Sequence, residues 1–185
     1  MKASKPISAI CLAALCFVFI GAMIQTSTAQ ESGGAQISRD SLLTAARMVI
    51  DSTPYCSVIT MDERGLPRVR VMDPFPPEPD MTIWLGTKRD SRKVADIRRN
   101  PTIALCYLMP NGMGYVSVYG KAELVDDPAA KEKWWKPEWA MFYPDKDKDY
   151  LPIKVTPVKI EVVNYALGVA GDPQTWTPPT IEFGK

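Results

Sequence analysis

The apolar positions of the chain fall into two rhythms. Leu42, Ala45, Ala46, Val49 and Ile50 recur at the three-and-four spacing of one helix face, with Ser38 or Asp40 placed to cap it and Thr53-Pro54 to stop it. From Tyr55 the pattern turns strand-like. Tyr55 to Met61 and Pro67 to Met72 flank Asp62-Glu63-Arg64-Gly65 and predict a hairpin. Pro74, Pro76, Pro77 and Pro79 predict a loop, because proline cannot donate to a ladder. Met81 to Gly86 predicts a third strand, and Asp90 to Arg99 a short helix with Val94 and Ile97 inward, ended by Asn100-Pro101. Thr102 to Met109 and Tyr115 to Val125 predict strands around Pro110-Asn111-Gly112. A helix with exposed lysines is expected from Pro128 to about Trp135, irregular chain to Asp149, and a last strand from Ile153 to Asn164, interrupted at Pro157. Six strands with few short helices point to a mainly β (α+β) fold, a small antiparallel barrel with helices at its edges. The proline-bearing segment 166–185 is expected to wrap the surface as a tail.

The first residues do not fit this scheme. Lys2 and Lys5 precede an uncharged run from Ala9 to Ile24, and Ser27-Thr28-Ala29 follows with small residues. This is the layout of a secretory signal, with cleavage expected after Ala29. The run is shorter than the roughly 20 apolar residues of a membrane span, so residues 1–29 are read as a removed signal, 30–37 as a flexible leader around Gly33-Gly34, and 38–165 as the folded domain. The expected location is secreted or periplasmic, with no membrane attachment after cleavage. Cleavage leaves Cys56 and Cys106, both in strand-like apolar runs and read as separate thiols.

Composition narrows the chemistry. The chain has 22 Lys+Arg, 21 Asp+Glu and no histidine, a formal charge of +1. Near-neutral charge argues against affinity for nucleic acid by bulk attraction. The absence of histidine removes Ser-His-Asp and Cys-His catalysis and every His-ligated metal or haem site. No Cys-x-x-Cys or other metal-ligand cluster is present. Against this background, Gly86-Thr87-Lys88-Arg89-Asp90-Ser91-Arg92-Lys93 is the densest informative segment. It joins a strand end to a helix start, where backbone amides favour an anion, and adds two hydroxyls and four cations. It can be read as a phosphate cradle or as a solvated basic face with an ordinary cap. Arg68 and Arg70 share one face of their strand by period two; they line a groove or sit exposed on an edge.

These two segments together resemble the pyridoxamine 5′-phosphate oxidase-like family of FMN-binding split barrels. The likeness is carried by Gly65-Leu-Pro-Arg-Val-Arg70-Val-Met72, Gly86-Thr87 and Ser91-Arg92-Lys93, Asn100-Pro101, Gly120-Lys121-Ala122-Glu123, and Val155-Thr-Pro-Val-Lys-Ile160-Glu161. The opening helix, Tyr55-Cys56 and the hairpin resemble the family's general stress protein branch. The resemblance implies a six-stranded split barrel and a homodimer with FMN at the subunit interface, a deazaflavin being an alternative. By position it implies Arg70, Val71 and Met72 beside the flavin, Gly86 and Thr87 at the ribityl and phosphate end, and Ser91, Arg92 and Lys93 on the phosphate.

Several positions depart from the family pattern. Tyr115 stands at the site of a flavin-contacting Gln, and Val163 replaces a Trp that covers the cofactor in the oxidase. The oxidase's Arg-Leu-His-Asp-Arg substrate segment has no counterpart, so pyridoxal phosphate synthesis is not expected. Phe142-Tyr-Pro-Asp145 only approximates the branch's Phe-Pro-Gly-Asp. Trp84 is read either as a ring that stacks on the flavin or as core, and Trp134, Trp135 and Trp139 as a cover for a pocket or dimer surface or as packing on the barrel. The expected function is a flavin-dependent oxidoreductase of a small organic substrate, its chemistry supplied by the cofactor. The alternatives are a ligand-binding protein without turnover and an interaction domain that has lost its ligand.

Overall fold

The computed structural model describes residues 37–184; the expected signal and nearly all of the expected leader lie outside them. Helix α1, Arg39–Asp51, begins at Ser38, whose hydroxyl accepts the Ser41 amide at 3.2 Å, and it buries the five apolar residues of its stripe. Strands β1, Cys56–Met61, and β2, Pro67–Met72, form the expected hairpin. Asp62 Oδ1 accepts the amides of Arg64 and Leu66, and Gly65 takes the left-handed conformation that closes the turn. Next come β3, Ile83–Lys88; α2, Arg92–Arg99; β4, Thr102–Leu108; and β5, Gly114–Leu124.

The described chain then departs from expectation in two places. Residues 136–149 are not irregular throughout: α3, Pro128–Lys133, is followed by a 3₁₀ turn over Pro137–Met141 and a single-turn helix α4, Lys146–Asp149. Strand β6 starts three residues early and runs Tyr150–Asn164, and the tail supplies a short strand β7, Thr180–Glu182. Asp127 caps α3 through the Ala130 amide. The lysines of this segment are not all exposed, since Lys131 is buried and its ammonium reaches Asp126 at 3.0 Å and the Asp147 carbonyl. Burial of its long stem against the barrel requires those partners.

All strand pairs are antiparallel, in the order β2-β1-β4-β5-β6-β3, with β7 also on β6. Strand β6 serves three neighbours. Its start, Tyr150 to Val155, pairs with β3, Lys159 to Glu161 pair with β7, and Ile153 to Asn164 pair with β5. The expected interruption is a shift in the β5–β6 register beside Tyr119/Gly120, where Gly120 faces Pro157. Such a bulge bends the strand, and the sheet curls into a split barrel around one core. That core joins Val58, Leu85, Leu105, Tyr107, Val118 and Ile153 to the apolar face of α1. Among the described residues no helix is long and apolar enough to cross a membrane.

Candidate functional site: a cationic cluster and the groove beside it

Period two places Arg68, Arg70 and Met72 on the inward face of β2, opposite Thr60 and Val58 of β1. The Arg70 guanidinium donates to Thr60 Oγ1 at 2.8 Å, and Thr60 in turn donates to Asp96 Oδ2 at 2.8 Å. Asp96, on α2, is fully buried; it also takes Arg68 at 3.0 Å and lies 3.8 Å from Arg70 Nη2. Neither Asp96 nor Thr60 was anticipated from sequence. The one available signal was an acid inside a basic helix, beside Ile97 and two residues from Val94.

From the other side, β3 delivers Thr87 and the α2 start delivers Ser91 and Lys93. Lys93 Nζ donates to Thr87 Oγ1 at 3.0 Å, and the Thr87 and Ser91 hydroxyls bond at 3.0 Å. Ser91 therefore turns its hydroxyl to Thr87 and makes no side-chain cap on its own helix. Burial lowers the Lys93 ammonium below its ordinary range, and the charge of Arg70 adds to that effect. The Arg70 guanidinium is likewise lowered by burial and by the charges of Arg92 and Arg68, opposed by Asp96. The cluster is thus a set of cations with more positive charge than one buried carboxylate offsets. An anion placed among Arg70, Arg92 and Lys93 would relieve that repulsion, and the Thr87 and Ser91 hydroxyls are at hand to donate to it.

A groove leads away from Lys93. Its first part, ≈ 200 Å³, is lined by Met72, Asp73, Gly86, Lys93, Trp139 and Tyr143. Its continuation, ≈ 450 Å³, passes Met72, Asp73 and Trp139 to Val71 and Tyr55. The cations at one end and the long, mostly apolar continuation fit a molecule with a phosphate at one end and a flat ring at the other. Arg70, Arg92, Lys93, Thr87 and Ser91 would hold the phosphate, and Val71 and Met72 would border the ring.

Other anticipated residues are placed differently. A Cβ on Gly86 would stand 2.3 Å from Trp139 and 2.7 Å from Tyr150, so this glycine admits the Trp139 ring onto the sheet. Trp84 is 7% exposed, stacks on Trp134 at 4.9 Å and donates its indole N–H to Glu78 at 2.9 Å; its ring is engaged within the chain. Trp134, Trp135 and Trp139 form one aromatic layer with Phe75, Tyr143 and Tyr150 on the outside of the barrel. Tyr115 lies on the outer face of β5, half-buried and apart from the cationic cluster, where burial and Glu161 raise its phenol. Arg89 points elsewhere, donating through both terminal nitrogens to Asp126 at 2.6 and 2.8 Å. Cys56 is buried and Cys106 half-buried; both are free thiols, on opposite faces of the sheet. Among the described residues no group of acids and cysteines is placed to hold a metal ion.

Comparison with known proteins agrees with this architecture. Residues 44–164 match the family described as pyridoxamine 5′-phosphate oxidase like. The chain is 30% identical to general stress protein 26 of Bacillus subtilis (strain 168) over 120 residues, 63% of this chain and 84% of that protein. Among solved structures, a protein related to general stress protein 26 from Clostridium acetobutylicum superposes with a TM-score of 0.64 at 21% identity, covering 80% of this chain and 97% of its own. An FMN-binding protein related to pyridoxamine 5′-phosphate oxidase, from Nostoc punctiforme, gives a TM-score of 0.53 at 16% identity over 78% and 94% of the two chains. The fold defines a split-barrel protein. The chain belongs to the pyridoxamine 5′-phosphate oxidase-like family.

Proposed function

We propose that this chain is an exported, FMN-binding oxidoreductase that acts on a small organic substrate as a homodimer. The convergence of Arg70, Arg92 and Lys93 with the Thr87 and Ser91 hydroxyls at the head of a groove is the observation that carries the reading. Bound FMN supplies the electron transfer; the residues of this chain bind and orient it. Arg70, fixed through Thr60 on Asp96, contributes a preoriented fork of donors, and Lys93 a point charge. Family members carry FMN or a deazaflavin, one structural neighbour being named an F420 reductase, and either cofactor presents a phosphate to such a cluster.

The homodimer is supported by the outer sheet face. Val71, Ser57, Cys106, Ser117 and Glu161 form one row across it, and Val69, Ile59, Ala104, Tyr119 and Lys159 the next. Val69 and Val71 are 64% and 70% exposed, and a patch with these side chains at its end gains by being covered. Export is supported by the N-terminal pattern of residues 1–29. An interaction domain that has lost its ligand is the second reading, favoured by the Trp139 ring, which fills the space above Gly86 that the ribityl chain was expected to use.

The test is a visible spectrum of the purified protein with and without added FMN, followed by a nicotinamide donor. Yellow protein whose flavin bleaches with the donor supports the oxidoreductase; binding without reduction by any donor moves the reading to a carrier. Failure to bind at about 100 μM, far weaker than a specific cofactor site, overturns the cofactor reading and leaves the interaction domain.

A further inference from the structure

Bordering Asp73 lies a further cavity of ≈ 390 Å³ that shares only this residue with the groove and that the cofactor reading does not use. Residues 50–54 at the end of α1, the loop 73–76, Tyr107 and Lys136 line it. Tyr107 is fully buried on β4, and its hydroxyl has no hydrogen-bond partner among the described residues. Its polar neighbour is the Cys56 thiol, a weak partner. A buried hydroxyl left unpaired is costly, and native proteins rarely keep one without a reason.

The charge around the cavity selects what would pair with it. Lys136 is the one cation in the lining, and it is already engaged by Asp73 and by the Pro74 carbonyl, with its ammonium 4.9 Å from the centre of the Phe75 ring. Asp51 stands at the rim in the last turn of α1, a turn that contains no basic residue, so the partial negative charge of the helix end is not offset there. The walls are Ile50, Pro54, Pro74, Phe75 and Pro76. Apolar, flat walls with residual negative potential and a hydroxyl oxygen at depth favour a ring that carries a donor, and they disfavour an anion.

We propose that this cavity is a binding site for a small flat organic cation, an aromatic amine or amidine, whose charged nitrogen group donates to the Tyr107 hydroxyl within the field of Asp51 and the end of α1. Its position beside Asp73, which also borders the groove, makes it a second site next to the first, and it stands whether or not FMN binds. The probe is benzamidine, with benzoate as the opposite charge, titrated into the isotope-labelled purified protein and followed by amide and side-chain NMR. Benzamidine is expected to give saturable shifts confined to residues 51–53, 75, 107 and 136, with contacts from its ring protons to the Phe75 and Tyr107 rings, while benzoate gives none. Tyr107→Phe should weaken it by about three- to tenfold, the factor of one neutral hydrogen bond, and leave FMN titration unchanged. No saturation at about 10 mM, equal binding of benzoate, or shifts and ring contacts elsewhere overturns the proposal. So does Tyr107→Phe binding benzamidine as tightly as the parent or losing FMN in parallel. The ring contacts in the unmutated protein decide the matter if the variant does not fold.

Discussion

Asp96 binds two arginines of β2 from a position with no exposure, and that makes it the residue on which the cationic cluster turns. It holds Arg68 directly and Arg70 largely through Thr60. Removing one partner of a buried charge group leaves the rest uncompensated, so Asp96→Ala should cost about 3–5 kcal/mol of stability in a denaturant titration. Lys93 offers the opposite case. Its ammonium is disfavoured by burial and by Arg70, so Lys93→Met should leave stability level or higher while weakening FMN by about ten- to a hundredfold, the range of one charge-assisted hydrogen bond. FMN affinity unchanged in Lys93→Met would remove this residue from the proposed phosphate site. The distinction between these two residues was half legible in the sequence. Lys93, Arg70, Thr87 and Ser91 announce themselves by type and spacing. Asp96 is one acid among basic neighbours, and only the packing of α2 on β1 reveals that it is buried and that it orders the arginines.

At the level of elements, the segment from α3 to α4 is where expectation and structure diverge most. Its length, prolines and alternating charges give no sustained period, so it reads as irregular chain; what orders it is the aromatic layer it lays on β3 and β6. Gly86 is the contact point. Gly86→Ala should push Trp139 off the sheet and cost about 1–3 kcal/mol, the usual range for overpacking. Combined with Trp139→Ala the added methyl should cost far less than alone, because the atom it strikes is gone. Additive losses in that double-mutant cycle would show that the glycine is needed for its backbone and not for the ring above it. The α1 stripe, the β1–β2 hairpin and the β4 and β5 strands were legible because period and turn chemistry agree there. Strand β7 was not, since three residues after a pair of prolines carry no pattern and exist as a strand only because β6 offers them an edge.

For the whole molecule, two predictions follow from burial. The Cys56 thiol is pushed from its ordinary 9.0 up to about 12 by burial, and burial also raises the Tyr107 and Tyr150 phenols. Their neutral forms are favoured in the folded state, so this share of stability is complete below pH 9.0 and is lost as pH climbs toward about 12. Unfolding midpoints measured from pH 8 to 11 should fall steadily above about pH 9, and more gently in Cys56→Ala; a flat profile would contradict the burial of these groups. The outer sheet face gives the second. A lysine at Val71 places a charge in the proposed subunit contact without touching the core, because Val71 faces outward. Val71→Lys should therefore yield a folded monomer by sedimentation, and a dimer that persists would locate the contact elsewhere.

Strand β6 is the last long element to be made, yet β3, β5 and β7 all bond to it. Until Tyr150–Asn164 has been synthesised, β3 has no partner strand, and the barrel cannot close on any shorter chain. The ribosome thus hands over an open polypeptide, with its closing contacts among the most distant in sequence and the slowest to form. The export proposed above would need a channel that accepts only unfolded chain, and the order of the strands would keep this protein threadable for as long as it is being made.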